Sequence, residues 1–217
     1  MQNKNASIFN IAVIVAALGY FVDIYDLLLF TIVKKSSMLG VGATAETMLS
    51  DSTKVINWQM TGLLIGGIIW GVLGDKKGRL SVLFGSIILY SVANFVTGYI
   101  QTVNQYAICR FVAGLGLAGE LGAGITLVSE LLPKNKRGIG TSLVAGIGLS
   151  GAVAAYFTYQ FTDDWRLCYK IGGGLGILLL FLRIKVAESG MFHTAKSSSV
   201  SKGDFRMFFN NRKRFKK

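Results

Sequence analysis

Residues 62–79 read GLLIGGIIWGVLGDKKGR, and the order of its parts decides what kind of chain this is. The apolar stretch reaches back without a charge to Val55, so Val55–Gly74 is 20 residues long. As a helix it measures about 30 Å, the thickness of a bilayer's hydrocarbon core. Within it Gly62 and Gly66, then Gly67 and Gly71, make two small-xxx-small steps that let a neighbouring helix come close. Charge then arrives all at once, as Asp75, Lys76, Lys77 and Arg79 around Gly78, and a new apolar run starts at Leu80. So short a connection turns the next helix straight back, with Asp75 placed to cap its N-terminus.

The same reading extended both ways gives six apolar runs: Ile8–Val33, Val55–Gly74, Leu80–Gln101, Gln105–Val128, Ile139–Phe161 and Leu167–Ala187. The second, third and fifth carry no charge. The sixth is the weakest, because Lys170 and Arg183 leave it a short uncharged centre, and both are expected to snorkel toward headgroups. Composition agrees with this picture. Hydrophobic residues make up 52% of the 217 and charged residues only 16%, where a soluble domain carries about 25%. With 27 glycines and one proline, the helices are uninterrupted but rich in small residues. Intrinsic disorder, a collagen repeat and a disulfide scaffold are excluded, and a soluble enzyme is disfavoured. The expected fold class is an all-α membrane protein of six transmembrane helices over residues 1–190, with a basic tail over 191–217.

The net charge of +12 invites a nucleic-acid reading until the basic residues are located. Seventeen of them fall in one alternating set of segments: Lys4, the group at 76–79, the group at 134–137, and everything from Arg183 to Lys217. Lys34, Lys35, Lys54, Arg166 and Lys170 fall in the other set, which puts both termini in the cytoplasm of a cell-membrane protein. The first run is not a signal peptide, being too long, carrying Asp23 and Asp26, and lacking a small-residue cleavage pattern. Six basic residues between Arg206 and Lys217 suit an anionic lipid surface, at about 1 kcal/mol each, and no nucleic-acid partner is expected.

Cys109 and Cys168 are far apart without metal-ligand spacing, and His193 is the single histidine, so no metal site is expected. No Ser-His-Asp set and no nucleotide-binding loop is present, which leaves neither hydrolase chemistry nor ATP as an energy source. The chain is not read as an enzyme, and no cofactor is expected. Asn57 and Gln59 near the outer end of the second run are read as facing headgroups.

Charges inside spans are costly, and each is a functional candidate. Asp23, Asp26, Arg110, Glu120 and Glu130 qualify. Asp23 and Asp26 are three apart and share a helix face. In a medium of low dielectric they hold one proton between them unless a cation relieves the repulsion. Arg110 and Glu120 are about 15 Å apart along one helix, so each needs a partner on another. Glu120 sits among Gly114, Gly116, Gly119, Gly122 and Gly124, spaced for close helix contact.

These residues resemble the Major Facilitator Superfamily. Gly71-x-x-x-Asp75-Lys-x-Gly78-Arg79 is similar to that family's loop between its second and third spans, with Leu80 where a second basic residue is usual. Arg110-x-x-x-Gly114-x-Gly116-x-x-Gly119-Glu120 resembles its fourth-span motif, and Glu130, six intervening residues and then Arg137-Gly138 resemble its next acid–base pair. Trp165-Arg166 and Glu188-Ser189 resemble marks of the sugar-porter and metabolite–proton symporter branches, with Ala187 replacing a customary proline. The resemblance implies a secondary transporter working by alternating access, with a proton and a small-molecule substrate as its cargo and the lipid bilayer as its surroundings. It implies a cytoplasmic charge network of Asp75, Arg79, Glu130, Arg137 and Glu188 framed by Gly71 and Gly78. It places Asp26, Arg110 and Glu120 along the substrate cavity, with Glu120 as proton acceptor.

That family uses twelve spans in two six-helix halves, so this chain resembles the N-terminal half, its tail being similar to the central loop. Three arrangements stay open: pairing with a C-terminal half, a homodimer around a two-fold axis, or a remnant that inserts without transporting. A membrane scaffold or partner subunit is the reading from another class, disfavoured because a scaffold need not bear buried charge. Sugars, phosphate and organic acids all remain candidate substrates.

Overall fold

The computed structural model describes the backbone of residues 11–133 and 135–188, and within them the side chains of all but 12, 79, 80, 121–131 and 186–188. Among the described residues there are six helices and no strand: α1 Ile11–Gly40, α2 Met48–Lys77, α3 Arg79–Thr97, α4 Val103–Leu131, α5 Arg137–Thr162 and α6 Trp165–Glu188. Each expected apolar run became a helix. The differences lie at the ends. Helix α1 passes Val33 and α2 starts before Val55, because nothing in 34–40 or 48–54 breaks a helix until Gly42, at φ +89°, ends the first.

Asp75 does not cap α3. Helix α2 runs on through Lys77, so Asp75 lies exposed in its last turn, and the residue at the start of α3 is Gly78, without a side-chain bond. Gly78 alone makes the turn, at φ +90° and ψ 156°, a backbone region nearly closed to other residues. A one-residue break leaves no position for a separate cap.

Helix α4 is central, packing against α2 and α3 and touching α1, while α1 packs on α5 and α6, and α3 on α6. The α2–α4 seam is a backbone-to-backbone approach. A Cβ on Gly62 would strike the Phe111 carbonyl, one on Gly66 the Leu115 carbonyl, and one on Gly114 the Gln59 carbonyl. Of the two expected small-residue steps, therefore, only Gly62 and Gly66 face a helix; Gly67 and Gly71 face open space. Gln59 is buried in this seam instead of meeting headgroups.

The α1–α2, α3–α4 and α5–α6 connections gather at one end. Arg166 marks the place, its guanidinium donating to the carbonyl of Gly40 at 3.3 Å and to that of Ile100, while stacking on Trp165 at 4.4 Å. Trp165 in turn stacks on Tyr106 at 5.9 Å, which meets Phe30 edge-on at 5.4 Å. Lys170 lies 4.2 Å over the ring of Tyr99 nearby.

The outside of the bundle is apolar. Leu64 is 70% exposed and Phe161 83%, while Arg110 is fully buried. This inversion of a soluble protein's surface suits a lipid solvent, in which no hydrophobic force drives helices together and close packing and polar contacts hold them. Among the described residues α1, α2, α5 and α6 are long and apolar enough to cross a bilayer. Helix α3 is apolar over the shorter Ser81–Thr97.

Candidate functional site

The face that Asp23 and Asp26 share on α1 turns inward, and Gly19, four residues before Asp23, continues it. Across from it stands the face of α4 that carries Arg110, Ala113, Leu117 and Glu120, all buried. Asp26 lies at the middle of α1 and Arg110 in the first third of α4, and the antiparallel packing of the two helices brings them together. Arg110 Nη1 donates to Asp26 Oδ1 at 3.0 Å. Its Nη2 donates to Asn94 Oδ1 and, at 3.3 Å, to Thr97 Oγ1, both on α3. The guanidinium lies 4.6 Å over the ring of Tyr169 on α6, whose hydroxyl accepts a 2.7 Å bond from Tyr106. Four helices thus converge on one cation.

The second ion site lies further along α4, toward the end that holds Gly78. Glu120 pairs with Arg183 of α6, and Gly19 of α1 makes the room, since a Cβ there would run into both the guanidinium and the carboxylate. Arg183 does not snorkel. It is buried to 5% exposure, because a carboxylate inside the bundle offers more than the headgroup region at this depth.

Asp23 sits between the two sites, 1% exposed, and neither of its carboxylate oxygens has a hydrogen-bond partner among the described residues. Gly19, one turn before it on α1, abuts Glu120 and Arg183, and Asp26 lies one turn after it. The proton-sharing expected of Asp23 and Asp26 is relieved by the cation Arg110, which pairs with Asp26; Asp23 is left beside Glu120, with Arg183 as the one cation for those two carboxylates. Among the described residues the interior therefore holds three carboxylates and two guanidiniums.

As expected, Arg110 and Glu120 each find a partner on another helix. The cavity-lining positions implied for Asp26, Arg110 and Glu120 are, in this conformation, buried between helices of the bundle. Of the glycines around Glu120, Gly114 faces α2, Gly116 faces Tyr90 and Ser86 of α3, and Gly119 faces Ser86 and Trp70, so these three serve packing. Of the charge network, Asp75 is exposed, and Arg137 donates its Nε to the Leu132 carbonyl at 3.0 Å. The side chains of Arg79, Glu130 and Glu188 lie outside the described residues, as does the tail. Cys109 and Cys168 are free thiols, with Cys168 buried 3.4 Å from Thr162 Oγ1.

Sequence reasoning missed Arg183, Asn94 and Thr97. The signal for Arg183 was present in its position within the apolar run LLLFLRIK, where the rule for charges inside spans applied. Asn94 and Thr97 belong to a helical stripe, Ser86, Tyr90, Asn94, Thr97, that sits on one face of an uncharged span, all four buried.

Comparison with known proteins completes the assignment. The Major Facilitator Superfamily matches residues 6–215. A putative metabolite transport protein of Haemophilus influenzae is 30% identical over 204 residues, 93% of this chain and 49% of the relative. The sialic acid transporter NanX of Escherichia coli is 29% identical over 179 residues, 80% of this chain and 43% of its own length. Among solved structures, the proton:xylose symporter XylE bound to 6-bromo-6-deoxy-D-glucose superposes with a TM-score of 0.74 over 84% of this chain and 45% of that one, at 19% identity. The chain belongs to the Major Facilitator Superfamily and shares its fold. It spans about half the length of the curated relatives it matches. With its apolar exterior it is a multi-pass protein of the inner or plasma membrane.

Proposed function

We propose that this chain is the N-terminal half of a secondary transporter that couples proton movement to that of a small polar metabolite, an organic acid or a sugar. All six helices cross the membrane with both termini cytoplasmic, residues 1–190 forming the bundle and 191–217 the connecting tail. The observation that supports the proton is the imbalance, among the described residues, of three buried carboxylates against two guanidiniums. A net buried charge is expensive, and one proton removes it.

In this reading Asp26 and Arg110 form the station nearer the Trp165 end, where Arg110 can exchange Asp26 for a substrate anion. Asp23 and Glu120 form the proton path toward the Gly78 end. Gly71, Asp75, Gly78, Arg79, Glu130, Arg137 and Glu188 close the cytoplasmic side through ion pairs that break as two six-helix halves rock against each other. The second half is a C-terminal bundle or a second copy of this one. The functions of the curated relatives, metabolite and sialic acid transport, favour this reading over a scaffold or a remnant.

The test is uptake into proteoliposomes containing the folded chain under an imposed inward-acid gradient, scanned over sugars, phosphate and organic acids. Acid-driven accumulation is expected, lost in Glu120→Gln. Accumulation that persists in Glu120→Gln removes Glu120 from the path, and none for any substrate with a second half supplied overturns the reading.

A further inference from the structure

Arg183 belongs to no motif considered above, yet among the described residues it is one of two guanidiniums sealed in the bundle. It lies on α6 beside Glu120 of α4, in the space left by Gly19 of α1. Its Nη1 has no hydrogen-bond partner among the described residues, and neither do the two oxygens of Asp23. From α3 Tyr90 packs with Val22 of α1 and Leu117 of α4, and its buried hydroxyl is equally without a partner among the described residues. Helix α5 brings no charged side chain beyond Arg137 at its start, and the charges of α2 lie toward its ends. On α1 the other acid, Asp26, is taken by Arg110. Among the described residues the cluster comprises two carboxylates, one guanidinium and one phenol, with the Asp26–Arg110 pair one turn further along α1.

We infer that Asp23, Glu120 and Arg183 form a one-proton site in which Arg183 is the positioning residue, its guanidinium pairing with one carboxylate while the proton resides on the other. Charge balance dictates the count, since two ionised carboxylates against one cation leave a net charge that the bundle cannot solvate. In the arrangement seen here Arg183 holds Glu120, and Asp23 carries the proton. When the proton moves from Asp23 to Glu120, the free Nη1 can follow the negative charge to Asp23. The exchange conserves charge, moving one proton and one ion-pair contact in opposite senses. This deepens the proposed proton path and rests on it for its use, although the site itself stands on the geometry.

The test reads protonated carboxyl groups directly, by deuterium-sensitive infrared absorption of the purified chain in lipid at neutral pH, and needs no transport. The wild-type chain should show one such group, absent in Asp23→Asn. Glu120→Gln, nearly isosteric, should also lose it, because Arg183 then pairs with Asp23. Arg183→Gln should show two, and Arg183→Lys should restore one. If Arg183→Gln does not fold, as judged by helix content, the Glu120→Gln measurement decides alone. A wild-type band that is missing, a band that persists in Glu120→Gln, or one unchanged in folded Arg183→Gln would overturn the proposal. Loss of uptake with these band counts intact would overturn the transport reading and leave the site standing.

Discussion

Arg110 and Arg183 are buried to nearly the same degree and lie in the same four-helix interior, but their surroundings differ. Around Arg110 are Asp26, Asn94, Thr97 and the face of Tyr169, drawn from α1, α3 and α6. Around Arg183 are one carboxylate and a glycine, with a second carboxylate waiting unpartnered. The first site matches one acid to one base and fixes three helices to α4. The second has an acid too many. A matched buried pair is a fastening, whose loss leaves an uncompensated charge. A mismatched one has two low-lying arrangements separated by a proton, which is what a coupling site needs.

The comparison breaks most readily at Arg110. Arg110→Met should lower unfolding stability in micelles by about 3–5 kcal/mol, because Asp26 is left ionised and alone. Adding Asp26→Asn should recover part of that loss, and unchanged stability in the single variant would mean that this site fastens nothing. Next in size is the seam that holds α2 to α4. Gly62→Ala drives a methyl into the Phe111 carbonyl and should cost about 1–3 kcal/mol. Gly67→Ala, whose Cβ meets nothing within 4 Å, should stay within about 0.5 kcal/mol. Equal effects from the two in thermal unfolding would show that the register assigned to α2 is wrong.

Gly78→Ala should follow at about 1–3 kcal/mol, from backbone strain alone, since no atom crowds that position. The smallest stability effect is expected for Glu120→Gln, within about 1 kcal/mol, since a neutral amide keeps a bond to Arg183 while Asp23 takes over its charge. That variant sharpens the contrast with Arg110→Met. If Glu120→Gln were as destabilising, measured in the same micelles, the second site would be a fastening too.

Much of this was legible along the chain. The six helices follow from apolar length, and a tight turn between the second and third from a charged, glycine-bearing break between two such runs. The need of Arg110 and Glu120 for partners elsewhere follows from their ten-residue spacing. Three things were not legible. Asp75 appeared as a cap because residue type favours it, but the helix ran two residues further. Gly67 and Gly71 have the same spacing as Gly62 and Gly66, yet a helix has only one face toward a given neighbour, and the rotation of α2 selected the first pair. Arg183 looked like a snorkelling end residue, since distance along the chain from Glu188 says nothing about a carboxylate on α4.

The sequence by itself determined that this is a bundle of apolar helices carrying a few charges that no lipid would accept. Local composition suffices for that, because helix formation and bilayer length are properties of a single segment. Only the tertiary structure decided which charge meets which: Asp26 with Arg110, Glu120 with Arg183, and Asp23 with neither. Those choices depend on the order and rotation of four helices packed against one another. Burial then makes each choice consequential, because in a medium of low dielectric a charge matters chiefly through the partner within reach.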